Sequence, residues 1–111
     1  MNYLSAIIVC KASGTPIKLR ELRNIQKNEK ELESYLRAII ELHKAGVKYD
    51  REILTNYYLN NGNIENVSHG PVIAKKVGQF LSLSEAIEKD QKGIDFIEQY
   101  KKELKTGHNN V

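Results

Sequence analysis

Cysteine is almost absent from this chain, which has 111 residues and a single cysteine at position 10. One cysteine cannot form an internal disulfide, so a disulfide framework within the chain is excluded. Cys10 lies in the apolar run LSAIIVC, where a thiol usually behaves as a small buried hydrophobic group. The sequence therefore predicts a buried Cys10 and a reducing compartment.

Long hydrophobic runs are also lacking. The N-terminal run from residue 3 to residue 10 holds eight residues, whereas a helix that crosses a bilayer needs about 20 apolar residues. The start of the chain has neither the basic residues nor the small-residue cleavage site of a signal peptide. We expect a soluble or peripheral protein that is cytoplasmic and can lie at the inner face of the membrane.

Strand-like alternation of apolar and polar residues is scarce, and signals for helix starts and ends dominate. The predicted fold class is all-α: a single small helical domain of four to six short helices. This domain covers residues 1–105, and residues 106–111 form a frayed polar tail. Gly70-Pro71 lies inside a helical pattern and predicts a kink or a break. Residues 16–45 fit either two helices or one bent helix.

Capping signals predict the ends of the central helices. Gly46 is expected to end one helix in the left-handed conformation, and Asp50 to cap the next. In the segment NNGN, Gly62 is expected to take a positive φ and Asn63 to cap the following helix. The structural interpretation of this segment is therefore a helix end fused to a helix start, and a ligand-binding turn is the alternative.

The last helix is predicted to start at Ser82, which forms a capping box with Glu85, and to run toward Gly107. Its carboxylates, among them Glu88 and Asp90, alternate with lysines. Such spacing is typical of a solvated helix face with ion pairs between neighbouring turns. It does not favour a catalytic pair of carboxylates.

The residues that usually carry chemistry are dispersed. His43, His69 and His108 have no partner at metal-ligand spacing, and the glycines stand singly, so no phosphate-binding loop is present. We therefore expect no enzymatic activity, no metal, no cofactor and no small-molecule substrate.

Basic residues accumulate near the N-terminus. Residues 11–30 contain six basic side chains against two acidic ones, in a chain whose formal net charge is +3. Such a surplus can contact an anionic membrane or the phosphates of a nucleic acid, although a solvated helix face is the favoured explanation. The candidate contacts for an anionic surface are Lys11, Lys18, Arg20, Arg23 and Lys27.

A helix-turn-helix protein that binds nucleic acid is the alternative function, because short helices are joined by AGVKYD and NNGN. The recognition helix would be the one that starts at Asn63. Its centre reads SHGPVI, whereas reading a DNA groove needs a straight, exposed helix with polar and basic side chains. Nucleic acid is therefore the less favoured partner.

Two segments, KAGVKYDREILTNYYLNNGNIENV and LSLSEAIEKDQKGIDFIE, resemble a stretch of the bacterial flotillin-like proteins, which are scaffolds of membrane microdomains. The resemblance lies in the helical region that follows the membrane segment of that family. The matching positions span residues 44–98 and are collinear: Lys44, Ala45, Gly46, Leu54, Tyr58, Leu59, Gly62, Asn63, Val67, Ala74, Leu81, Ala86, Asp90, Gly93, Asp95 and Glu98.

This chain also departs from the family. A transmembrane segment and a stomatin/prohibitin/flotillin domain are not found in it, and Gly70-Pro71 falls where the family keeps an uninterrupted helix. The resemblance implies an interaction module that acts as an adaptor, assembly or accessory protein, through protein contacts or self-assembly and with peripheral membrane contact. An apolar or tyrosine-bearing face could dock the partner, although tyrosines at these positions are more typical of a core: Tyr35, Tyr49, Tyr57 and Tyr58.

Overall fold

The computed structural model describes residues 3–15, 17–27 and 30–109, and in these ranges the chain forms helices and no strand. The predicted all-α class is confirmed. The helices are α1 (Tyr3–Ala12), α2 (Leu19–Lys27), α3 (Leu32–Lys44), α4 (Arg51–Leu59), α5 (Ile64–Lys76), α6 (Leu83–Gln91) and α7 (Phe96–Asn109). None of the helices so described is both long enough and apolar enough to span a bilayer.

The described residues form seven helices, one more than the upper limit of the prediction, because the last predicted helix is two helices. Gly93 has a φ of +84°, which ends α6. Asp95 then accepts a hydrogen bond from the backbone N–H of Glu98 at 3.1 Å and caps α7. The segment KGID thus holds both a helix stop and a helix start. Helix α7 extends to Asn109, and the division into a domain and a tail stays a prediction.

The other capping predictions hold with one exception. Gly46 has a φ of +70°, Asp50 accepts from two backbone N–H groups at the start of α4, and Asn63 caps α5. The exception is the positive φ of the NNGN turn, which belongs to Asn61 at +68° and not to Gly62. Asparagine tolerates the left-handed region better than most residues, so the glycine is free for another role.

Helix α5 runs through Gly70-Pro71 without a break, so the predicted break does not occur. Both residues are buried. A Cβ atom on Gly70 would lie 2.9 Å from a ring carbon of Phe96, so the glycine lets α7 approach α5 closely. Burial against a neighbouring helix offsets the backbone hydrogen bond that proline cannot donate.

Helix α5 lies at the centre of the fold, where it packs against α3, α6 and α7, while α1 and α2 pack against α3. The two segments of residues 16–45 are separate helices. Cys10 is fully buried, as predicted. Tyr35 and Tyr58 are buried too and stack with ring centroids 6.2 Å apart, so these two tyrosines belong to the core and not to a docking face.

Candidate functional site

The turn between α4 and α5 and the end of α6 meet at the carboxylate of Asp90. Both lie in the segments that resemble the flotillin-like family. Asp90, near the end of α6, accepts hydrogen bonds from the hydroxyl of Tyr57 and from the backbone N–H of Asn63 at 3.3 Å. Its other oxygen accepts from the side-chain amide of Asn66 at 2.8 Å. One side chain thereby joins the end of α4, the start of α5 and the end of α6. We call these four residues the Asp90 junction.

Asn66 extends this junction to α7. Its amide also donates to the carbonyl of Ile94 at 2.7 Å, and its carbonyl accepts from the backbone N–H of Phe96 at 3.0 Å. Asn66 is 8% exposed, so these bonds satisfy a buried amide and the backbone groups where α7 begins. Sequence reasoning missed Asn66, whose only local signal is a polar residue on the buried side of an otherwise apolar helix.

The electrostatics of the junction favour a structural role, in which Tyr57 stays protonated and donates a hydrogen bond. Burial, together with the hydrogen bond to the Asp90 carboxylate, raises the pKa of Tyr57 to about 12. The phenol is therefore protonated at neutral pH and remains a hydrogen-bond donor. Gly62 serves the same contact, because a Cβ atom there would lie 2.3 Å from the Tyr57 ring. The turn NNGN is thus a helix junction, as the structural interpretation predicted.

The positions that carry the family resemblance fall into two places. Gly62, Asn63, Asp90, Gly93 and Asp95 lie in or beside the Asp90 junction. The other predicted positions lie near the ends of α3 and α4: Lys44, Ala45, Gly46, Tyr58 and Leu59. The resemblance therefore follows positions that build the fold.

Three of the five predicted cations lie together on α2. Arg20, Arg23 and Lys27 are exposed, and they border a shallow depression of about 430 Å³. We call these three residues the α2 cationic face. None of the ion pairs found among the described residues involves them. Lys11 and Lys18 are exposed as well but do not line the depression.

The only acidic residue of α2, Glu21, is turned away from this face. One of its oxygens lies 3.6 Å from Arg51 of α4, and the other accepts a hydrogen bond from the Tyr35 hydroxyl at 3.2 Å. The opposite side of α2 buries Leu22 and Ile25 in the core. The exposed side of α2 therefore carries cations and neutral polar side chains but no acidic side chain.

A different kind of surface surrounds Phe80, in the loop between α5 and α6. Phe80 is 85% exposed and Val77 is 41% exposed. Two pockets, of about 200 and 390 Å³, adjoin Phe80 and the half-buried Leu81. We call Val77, Phe80, Leu81 and the two pockets the Phe80 surface. Of the residues that border this surface, the sequence prediction contained Gly46, Ala74 and Leu81 but not Phe80, because an aromatic residue in a loop fits no periodic pattern.

The polar side chains at one further depression form contacts that stabilise the fold. A shallow depression near His43 is bordered by Asp50 and Arg51, but Asp50 caps α4 and Arg51 contacts Glu21. In the ranges that the structure describes, no group of His, Cys, Asp and Glu side chains could hold a metal ion.

The position of α5 does not favour the helix-turn-helix alternative. The helix that would read DNA buries Ile64, Val67 and Val72, along with the Gly70-Pro71 pair, between its neighbours. A recognition helix has to be exposed to enter the major groove. Helix α5 is instead the central helix of the core.

Comparison with known proteins gives one informative similarity. The chain is 36% identical over 92 residues to the flotillin-like protein FloA of Parabacteroides distasonis. The matched stretch covers 82% of this chain and 28% of that protein, so the chain spans little more than a quarter of its relative. No protein-family model and no solved structure matches the chain. The similarity supports a relationship to flotillin-like proteins.

Proposed function

We propose that this chain is a non-enzymatic helical interaction module, an adaptor or assembly piece that works through protein contacts made by the Phe80 surface. The observation that carries the proposal is the 85% exposure of Phe80 beside two pockets. The similarity to a flotillin-like protein supports it, since a relative of that name is consistent with a scaffold.

An exposed phenylalanine is informative because of where it lies. Single apolar side chains on a surface are ordinary, and Ile53 on α4 is such a case at 45% exposure. Phe80 instead adjoins exposed Val77 and two pockets with apolar side chains. Contiguous apolar surface of this kind commonly marks a binding site for another protein. Large, rigid aromatic side chains are also the usual anchors of such sites.

The Asp90 junction supports the non-enzymatic part of the proposal. Its carboxylate, phenol and amide would be the obvious candidates for a reactive site near the motif. Each of them is already engaged in hydrogen bonds that join helices. The side chains of Tyr57, Asn66 and Asp90 therefore stabilise the fold through these hydrogen bonds.

Site-specific photo-crosslinking tests the proposal. We would replace Phe80 with benzoylphenylalanine in the 111-residue chain and irradiate cells that produce it, with the same group at Ile53 as the matched control. We expect discrete protein adducts, identified by mass spectrometry, at position 80 and not at position 53. Adducts only with lipid or nucleic acid, or equal labelling at both positions, would contradict a role in protein contact.

The α2 cationic face favours a second candidate function, peripheral contact with an anionic surface. Each cation near an anionic membrane adds about 1 kcal/mol, so three of them contribute about 3 kcal/mol. Helix α2 holds three exposed cations and no exposed acidic side chain on that side. The cluster supports contact with phosphate groups, of a membrane or of a nucleic acid.

Co-sedimentation with neutral and anionic vesicles, at low and physiological salt and with duplex DNA as competitor, tests this second candidate. Pelleting with anionic vesicles that survives physiological salt and DNA, and that the triple variant R20E/R23E/K27E loses, supports peripheral membrane contact. Loss of vesicle binding to the DNA competitor would indicate nucleic acid instead. No pelleting under any condition would remove this candidate.

A further inference from the structure

We infer that the Phe80 surface is a two-fold interface whose occupant is a second copy of this chain. The inference rests on the proposed function, because it names the partner of the same surface.

The two pockets lie on either side of the loop that carries Phe80. The first lies between α5, α6 and α7 and is bordered by Tyr100 and Glu103 of α7. The second lies beside the loop between α3 and α4 and is bordered by Val47 and Lys48. We call them the α7-side pocket and the Val47-side pocket. Phe80 adjoins both, so a projecting ring and two receptive pockets form one continuous patch.

Both pockets are large enough for an aromatic ring. Their volumes are about 200 Å³ on the α7 side and about 390 Å³ on the Val47 side. A buried apolar cavity of about 150 Å³ accepts benzene. The Val47-side pocket is bordered mainly by apolar side chains, namely Val47, Pro71, Phe80, Leu81 and Leu83. A phenylalanine ring from a second copy therefore fits the Val47-side pocket in size and in polarity.

The charges at the two ends of the patch are opposite. Lys48 and Lys75 border the Val47-side pocket, and no acidic side chain does. Glu85 and Glu103 border the α7-side pocket, against the single cation Lys89. A partner with one sign of charge throughout would therefore be attracted at one end and repelled at the other.

A second copy related by a two-fold axis through the Phe80 loop places opposite charges against both ends of the patch at once. In such an interface the same patch is used twice, and each end of it faces the opposite end of the partner. The lysine-bordered pocket of one copy then faces the glutamate-bordered pocket of the other, and both Phe80 rings become buried. The opposite charges at the two ends of the patch complement each other when the patch meets a second copy of itself, with Phe80 at the centre. This self-complementarity favours a second copy over other occupants.

Sedimentation equilibrium of the purified 111-residue chain, from about 1 μM to 1 mM, measures the self-association directly. We expect a monomer–dimer equilibrium, and we expect Phe80→Ala to raise its dissociation constant by about thirtyfold, as for a central aromatic anchor. Ile53→Ala is the matched control, because Ile53 is exposed but lies outside the patch, and it should leave the constant unchanged. A wild-type chain that is monomeric throughout would overturn the inference.

A charge exchange tests the two-fold arrangement itself. Glu103→Lys alone, or Lys48→Glu alone, places like charges opposite each other twice in a homodimer, and each should weaken the dimer by about tenfold. A mixture of the two variants restores opposite charges at both ends, so the mixed dimer should regain wild-type affinity. If mixing restores nothing, this two-fold arrangement is wrong.

The two proposals can fail separately. A monomeric chain whose position 80 still crosslinks to another defined protein overturns self-association and leaves the interaction module standing. A chain whose position 80 crosslinks to no protein, including itself, contradicts both.

Discussion

The Asp90 junction and the Phe80 surface share helices α5 and α6 and have opposite characters. In the junction, polar groups at or near the ends of α4, α5, α6 and α7, among them the buried Asn66, are matched to one another by hydrogen bonds. At the Phe80 surface, a large apolar side chain is left 85% exposed. Five positions that resemble the flotillin-like family lie in or beside the first region, and three others, Gly46, Ala74 and Leu81, border the second. The comparison teaches that matching positions such as Asn63 and Asp90 join helices, whereas Phe80, the anchor of the proposed partner contact, lies outside the matching positions.

The largest effect is expected when the junction loses Asn66. Asn66→Ala removes the donors to Asp90 and Ile94 and the acceptor for the N–H of Phe96. Leaving the Ile94 carbonyl, the Phe96 N–H and one of the two Asp90 oxygens without these partners should lower the free energy of unfolding by about 3–5 kcal/mol. Urea unfolding followed by circular dichroism measures this loss. Asn60→Ala is the control, since Asn60 is exposed, and an equal loss there would contradict the role given to the junction.

A smaller loss is expected when the turn loses its glycine. Gly62→Ala places a methyl group 2.3–2.5 Å from carbons of the Tyr57 ring, so that the ring has to move away from Asp90. Overpacking of this kind costs about 1–3 kcal/mol. The same unfolding experiment measures it. Combining the change with Tyr57→Leu should recover part of the loss that Gly62→Ala adds, because the ring that causes the clash is gone. Full additivity would argue against the contact.

Removing only the phenol oxygen separates the hydrogen bond from the packing. Tyr57→Phe should lower the free energy of unfolding by about 1 kcal/mol at neutral pH. The pKa of Tyr57 is about 12 in the fold against an ordinary value of 10, so the unfolded chain loses this proton more easily. The stability that the Tyr57 phenol contributes is therefore complete below about pH 10 and is lost as the pH rises from 10 to 12.

Urea midpoints at pH 8 and pH 11 test this dependence. Wild type and Tyr57→Phe should both lose stability at pH 11, because burial also raises the pKa values of Tyr35 and Tyr58. The loss should be smaller in Tyr57→Phe. An equal loss in the two proteins would show that Tyr57 does not contribute to the alkaline transition.

The smallest effect on stability is expected at the exposed surfaces. Phe80→Ala and Arg23→Glu should change the free energy of unfolding by no more than about 0.5 kcal/mol, since both side chains are exposed. Their effects should appear in binding instead, Phe80→Ala in self-association and Arg23→Glu in contact with anionic vesicles. A loss of stability above about 2 kcal/mol in either variant would contradict the claim that the junction stabilises the fold and the exposed surfaces do not.

Local signals predicted much of the fold and little of the candidate site. Gly46, Asp50 and Ser82 mark helix ends through bonds to residues within one turn, so they are readable from spacing alone. The stop and start in KGID use the same chemistry and were missed because the surrounding helical pattern continues across them. The hydrogen bond between Asn66 and Asp90 joins residues 24 positions apart, and only the packing of α5 against α6 brings them together.

The two exposed surfaces differ in the same way. The surplus of basic residues between positions 11 and 30 pointed to Arg20, Arg23 and Lys27, although neither their shared face nor the inward turn of Glu21 was predicted. The Phe80 surface collects residues from two loops and three helices, from Val47 to Glu103. No local pattern predicts such a surface, because its parts become neighbours only in the folded chain.

A concentration series of ¹H–¹⁵N correlation spectra of the 111-residue chain tests the central claim most directly, because it observes both regions in one experiment. Self-association through the Phe80 surface predicts concentration-dependent shifts at Val77, Phe80, Leu81 and Glu103. The amides of Asn63, Asn66 and Asp90 should stay unchanged. Shifts confined to the Asp90 junction, or no shifts up to about 1 mM, would contradict the account.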